Sequence, residues 1–125
     1  MVRVYTGYFA QLNKYKGRGL FPIAICGKSP EFFRGVELKC FAPTWDIYSK
    51  WKNKEISDEE YSTRFKNEIL DKLEPKAILN FFDGFCTDIV LLCYETPEKF
   101  CHRHLVSEWL CSIGINSEEY IIKEK

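Results

Sequence analysis

The sequence predicts a small three-layer α/β domain of Rossmann or flavodoxin type, with a mostly parallel sheet of three to four strands. Three observations carry that expectation. Ile89-Val90-Leu91-Leu92-Cys93-Tyr94 is a continuous apolar run without period-two alternation, the pattern of a strand covered on both faces. Two further strand-length apolar runs, Val2 to Phe9 and Leu20 to Cys26, precede it. Segments with helical periodicity and cap residues separate or follow these runs, the alternation that a parallel sheet requires. No repeat, low-complexity tract or interdomain linker interrupts the chain, so residues 1–125 are expected to form a single domain. A chain of this length buries roughly two-thirds of its unfolded surface.

Taken in order, Val2 to Phe9 reads as the first strand, with Thr6, Gly7 and Tyr8 at its carboxyl end. The basic stretch Asn13 to Gly19, with two glycines, reads as a solvated loop. Its backbone amides suit a phosphate, but it matches no P-loop or dinucleotide fingerprint, and no cofactor is assigned. Leu20 to Cys26 is the second strand, with Pro22 tolerable near its start or on an edge. From Gly27 the chain turns irregular, with one helical turn expected through Phe33.

Thr44 caps a helix from Trp45 to Lys52 that carries Trp45, Tyr48 and Trp51. Trp45 and Trp51 are expected in the core, and the lysines around Trp51 in solvent. Ser57 or Asp58 caps a long helix, Asp58 to Lys72, on which Tyr61, Phe65, Ile69 and Leu73 recur at spacing four. Pro75 opens another helix through Phe82, closed by Gly84. After the strand Ile89 to Tyr94, Thr96 reads as an N-cap and Pro97 as the first position of a helix that Gly114 stops. Glu119 to Lys123 is expected as a short final edge strand.

With the second and third strands flanking the first, the crevice between first and third is a switch point, where ligands bind beyond the strands' carboxyl ends. On the last helix, Leu105, Val106, Trp109, Leu110 and Ile113 form one apolar stripe. His102 falls near its centre, Cys101 and Arg103 on its flanks, and His104 on the opposite, wet side. A helix N-terminus favours an anion, and Arg103 adds a planar fork. Cys101 at that terminus is the expected nucleophile, with a lowered pKa; His102 is the expected base, and Cys93 and Glu95 belong to the same reactive group. Arg103, Thr6, Gly7 and Tyr8 are expected to hold a phosphate-bearing ligand, a phosphate or a nucleotide.

Composition bounds the partners. Eighteen basic and eighteen acidic residues leave no net charge, so a broad nucleic-acid footprint is not supported. No apolar run reaches membrane-spanning length, and no membrane association is expected. Met1-Val2-Arg3-Val4-Tyr5 runs straight into a strand pattern rather than a signal peptide, which leads to the expectation of a cytoplasmic protein. Of six cysteines, Cys26 and Cys93 end apolar strands and Cys111 lies within a helix, so reduced thiols are expected rather than a disulfide scaffold. No CxxC pair or zinc-finger spacing is present. With only Cys93, Cys101 and His102 converging and no fourth ligand evident, no metal is expected.

The segment CYETPEKFCHRHLVSEWL resembles the signature of the domain-of-unknown-function family numbered 488, in which a strand ends in Cys, a Glu follows, and Cys-His-Arg opens a helix. VYTGYF, PIAI and APTWDIY are also similar to its shorter members, often phage- or prophage-encoded. The resemblance implies a single small α/β domain and no particular reaction. Larger members carry Asp-x-Arg after the second strand; here Ala24-Ile25-Cys26 stands at that position.

Three functions stay open at this point. One is a Cys/His-dependent hydrolase or transferase with an anion site at the strands' carboxyl ends. The second is a non-catalytic module that binds protein or nucleic acid in a phage or host-defence setting. The third is a thiol redox protein using Cys93 and Cys101.

Overall fold

A computed structural model describes residues 2–122. Five parallel strands form one sheet in the order β3-β2-β4-β1-β5. These are β1 (Val4–Tyr8), β2 (Phe21–Ala24), β3 (Val36–Glu37), β4 (Ile89–Cys93) and β5 (Ser117–Glu119). The α/β architecture agrees with the sequence, and the sheet has five strands rather than three to four. The central position belongs to the unbroken apolar run: every residue of β4 is buried. Its neighbours are corrected, because β4 lies between β1 and β2 instead of β1 lying between the other two. The pairing of first and third strands survives, with Tyr8 opposite Cys93 at their carboxyl ends.

Pleating sends alternate β4 side chains to opposite faces. Ile89, Leu91 and Cys93 join one core with Val4, Ile23, Phe65 and Leu110; Val90 and Leu92 join a second with Leu12, Tyr15 and Leu20. The connections explain the layers. From β1 the chain moves two places towards β2 through α1 (Leu12–Gly17). From β3 it returns through α2 (Trp45–Lys52), α3 (Asp58–Glu68) and α4 (Pro75–Asp83), and from β4 it passes through α5 (His102–Ser112) to β5. Right-handed crossovers running in opposite directions place their helices on opposite faces. So α1 alone covers one face, and the other helices cover the second.

Several boundaries differ from the sequence reading, each for a local reason. The stretch read as a loop at Asn13 is α1, because Leu12 and Tyr15 stand three residues apart and both bury. The segment after Gly27 forms turns rather than a helical turn. Thr44 caps α2 by accepting from the Ile47 amide at 3.2 Å, as expected. Ser57 and Glu60 make a reciprocal capping box at the start of α3. That helix ends at Glu68, and Leu70–Lys72 tightens into a 3-10 turn. The final strand begins at Ser117, two residues early, and Lys123 lies outside the described residues.

The largest revision is the start of α5. Thr96 and Pro97 do not open it; Cys101 is its N-cap, with extended backbone at φ −157° and ψ 143°. Phe100 is the cause. Its ring packs between Trp51 at 5.6 Å and Tyr61 at 5.1 Å, which pulls residues 97–100 off a helical path. The Lys99 amide donates to the Thr96 carbonyl at 3.1 Å and closes a turn there instead. No helix among the described residues is long and apolar enough to cross a membrane.

Candidate functional site

The short helix start concentrates chemistry. Where β4 ends, Cys93 faces the α5 side of the sheet, and the connection returns so that Cys101 and His102 meet it. All three are buried, and their ligand atoms lie within 4.8 Å of one another. His102 Nε2 lies 2.7 Å from the Ile25 carbonyl oxygen, at the end of the β2 segment. A carbonyl only accepts, so Nε2 carries the proton and Nδ1 keeps a free lone pair. Cys101 Sγ is 3.9 Å and Cys93 Sγ 3.8 Å from that Nδ1, and Cys93 Sγ is 3.5 Å from Nε2. Phe65 packs 5.5 Å from the imidazole and fixes its tilt.

Charge is unequally divided between the thiols. A hydrogen bond from Cys93, with the Arg103 backbone N–H beside it, holds Cys101 far below the ordinary thiol range, against its own burial. Burial raises Cys93, and its bond to Cys101 raises it further. One proton therefore stays on Cys93 while Cys101 carries the thiolate.

This trio forms the floor of a cleft of about 850 Å³. Trp45, Tyr48, Trp51 and Phe100 build one wall. Trp45 is 77% exposed, which overturns its expected place in the core; Trp51 is half-buried. The lining also contains Tyr94, whose hydroxyl donates to the Lys28 carbonyl. Lys28, Lys52 and Glu95 stand at the rim. The wall was visible in the sequence as Trp45, Tyr48 and Trp51 at spacing three, a pattern that core packing and ligand stacking share. Nothing in the sequence signalled Phe100 or the Ile25 carbonyl.

The residues expected to hold an anion sit elsewhere. On β1, Thr6 and Tyr8 point to the α5 side and Gly7 to the α1 side. Arg103 has no exposed surface, and its Nε and Nη2 donate to the two Glu119 oxygens, both at 3.0 Å. The Thr6 hydroxyl donates to the same carboxylate at 2.6 Å. Arg103 also lies 6.0 Å from the Tyr8 ring centroid. Its Nη1 is buried without a hydrogen-bond partner among the described residues. Gly7 backs onto the Tyr15 hydroxyl, which a Cβ would approach to 2.4 Å. None of Thr6, Gly7, Tyr8 or Arg103 lines the cleft. His104, expected in solvent, is half-buried, and its Nε2 likewise finds no partner there.

A family model described as "DUF488-N3a: Active DUF488-N3 subclade" matches residues 24–114, from the end of β2 to the turn after α5. No curated protein and no solved structure matches the chain.

Proposed function

The chain belongs to the DUF488 family, and on that premise we propose that it is a cysteine- and histidine-dependent hydrolase or transferase acting on a small ligand seated in the aromatic cleft. One observation carries the reading: a nucleophile and a base meet at the floor of a cleft large enough for a small molecule. Cys101 attacks an electrophilic carbon or phosphorus of the ligand, and the bond to the leaving group breaks as the bond to sulfur forms. The leaving group takes the proton held on Cys93, relayed through the free lone pair of His102 Nδ1. Water in a hydrolase, or a second substrate in a transferase, then releases the product from sulfur. Cys93 donates to the resting thiolate and lowers its charge. Glu95 is the further acid or base at the rim.

The ligand is a flat, phosphate-bearing molecule of nucleotide type. The aromatic wall supports the flat part, because a ring stacks on an exposed indole at little cost in side-chain order. Lys28 and Lys52 at the rim support the phosphate, since the Arg103 fork is committed to Glu119. The test is a panel of nucleosides and nucleoside phosphates, followed by thermal shift and product analysis, with Trp45→Ala and Cys101→Ser alongside. Trp45→Ala should weaken binding. Cys101→Ser should keep binding and stop turnover. A panel in which no member shifts the melting transition, together with a Cys101 that alkylates no faster than Cys111, would remove the reading.

Thiol redox chemistry is the second reading, favoured by the contact between Cys93 and Cys101. It requires two thiols to disappear together under mild oxidation, with loss of two hydrogens in intact mass.

A further inference from the structure

We propose that Cys93, Cys101 and His102 also form a three-ligand site for zinc, with the fourth coordination position open to the cleft. The inference rests on the reading that this cluster is the reactive centre, and it names a metal-bound state in which that centre is silent. Cys101 as a zinc ligand is no longer a free nucleophile.

The geometry is close to what the ion requires. Zinc binds thiolate sulfur at about 2.3 Å and imidazole nitrogen at about 2.0–2.1 Å, which at a tetrahedral angle sets sulfur and nitrogen about 3.5 Å apart. The two thiols stand 3.8 and 3.9 Å from His102 Nδ1 and Cys93 stands 3.5 Å from Nε2, so closure asks for a few tenths of an ångström and a small turn of the ring that brings Nδ1 towards Cys93. The surroundings have the form that orients metal ligands. Nε2–H is held by the Ile25 carbonyl, which fixes Nδ1 as the free donor, and the Arg103 amide supports the Cys101 sulfur. Charge fits too: Zn²⁺ with two thiolates is neutral, which suits a buried site. Binding releases the thiol proton of Cys93 to solvent, and no electron moves.

Sequence spacing points away from zinc only if four protein ligands are required, the pattern of a closed structural site. Three protein ligands beside an accessible cleft is the pattern of an open site, whose last position takes water or a ligand. Soft sulfur donors at this spot favour zinc over magnesium or calcium.

The experiment uses the full chain, reduced and freed of metal, titrated with Zn²⁺ against a chromophoric chelator and separately with Co²⁺ as an optical probe. One equivalent of each should bind, and Co²⁺ should give an intense near-ultraviolet sulfur-to-metal band. Cys93→Ser and Cys101→Ser should each lose stoichiometric binding with an unchanged circular dichroism spectrum, while Cys111→Ser should bind as the parent does. Zinc should also protect Cys101 of the unaltered protein from iodoacetamide, and a chelator should restore its reactivity. That last measurement needs no variant to fold. Failure to bind an equivalent, binding retained in Cys101→Ser, or alkylation of Cys101 unaffected by bound zinc would overturn the inference. The nucleophile reading fails on different evidence, since it requires the metal-free Cys101 to react first whatever zinc does.

Discussion

Two buried polar groups leave the first turn of α5 from adjacent residues, and they differ in one respect. Arg103 goes towards β1 and β5, where its Nε and Nη2 donate to Glu119, Thr6 donates to the same carboxylate, and the aromatic cleft does not reach it. His102 goes towards β2, where Ile25 takes one ring proton and the other nitrogen is left with two thiols beneath an open cleft. Both are buried, so burial alone does not separate structure from chemistry. What separates them is whether the cleft reaches the group: His102 lines it and Arg103 does not. The Arg103 network ties helix to sheet edge, and the His102 group keeps its donors available.

The sharpest way to break this comparison is Glu119→Ala, which leaves a guanidinium buried and uncompensated. It should cost about 3–5 kcal/mol in urea unfolding, while replacing Arg103 and Glu119 together by apolar residues should cost much less than the two single changes combined. An unfolding curve that Glu119→Ala leaves in place would show the pair to be dispensable. Gly7→Ala comes next. The new methyl meets the Tyr15 hydroxyl, and overpacking of this kind costs about 1–3 kcal/mol; if Gly7 served a ligand instead, binding would change and the melting temperature would not.

Ser57→Ala removes one half of the α3 capping box and should cost about 1 kcal/mol. Cys101 alkylation should be unaffected, because the cap lies at the far end of the helix that presents Phe65. Smallest in stability is Cys101→Ser, expected within about 1 kcal/mol of the parent by the same unfolding assay, since the replacement is nearly isosteric and faces a cleft. It should nonetheless abolish turnover. If Cys101→Ser destabilises the chain as much as Glu119→Ala does, the distinction between a closed and an open group is lost.

Local signals in the chain were enough for much of this architecture. The unbroken run at Ile89 marked the most buried strand, because only a strand covered on both faces tolerates apolar residues at successive positions. Thr44, Ser57, Pro75 and Gly84 marked helix ends through hydrogen bonds and backbone preferences that act within four residues. Cys93, Cys101 and His102 could be grouped because a strand, a short connection and a helix leave few ways to separate them.

Tertiary structure decided what depends on distant residues. Strand order is one such case: the burial of β4 was legible, but its seat between β1 and β2 comes from pairings that join residues more than sixty positions apart. The two-residue β3 is another, being too short to carry a periodic signal. Thr96-Pro97 has the local form of a helix start, yet the burial of Phe100 against Trp51 and Tyr61 overrides it. Arg103 shows the limit most clearly. Its helix position was readable, but whether its fork meets a ligand or a carboxylate of its own chain depended on β5 bringing Glu119 to β1, and no spacing within the helix encodes that partner.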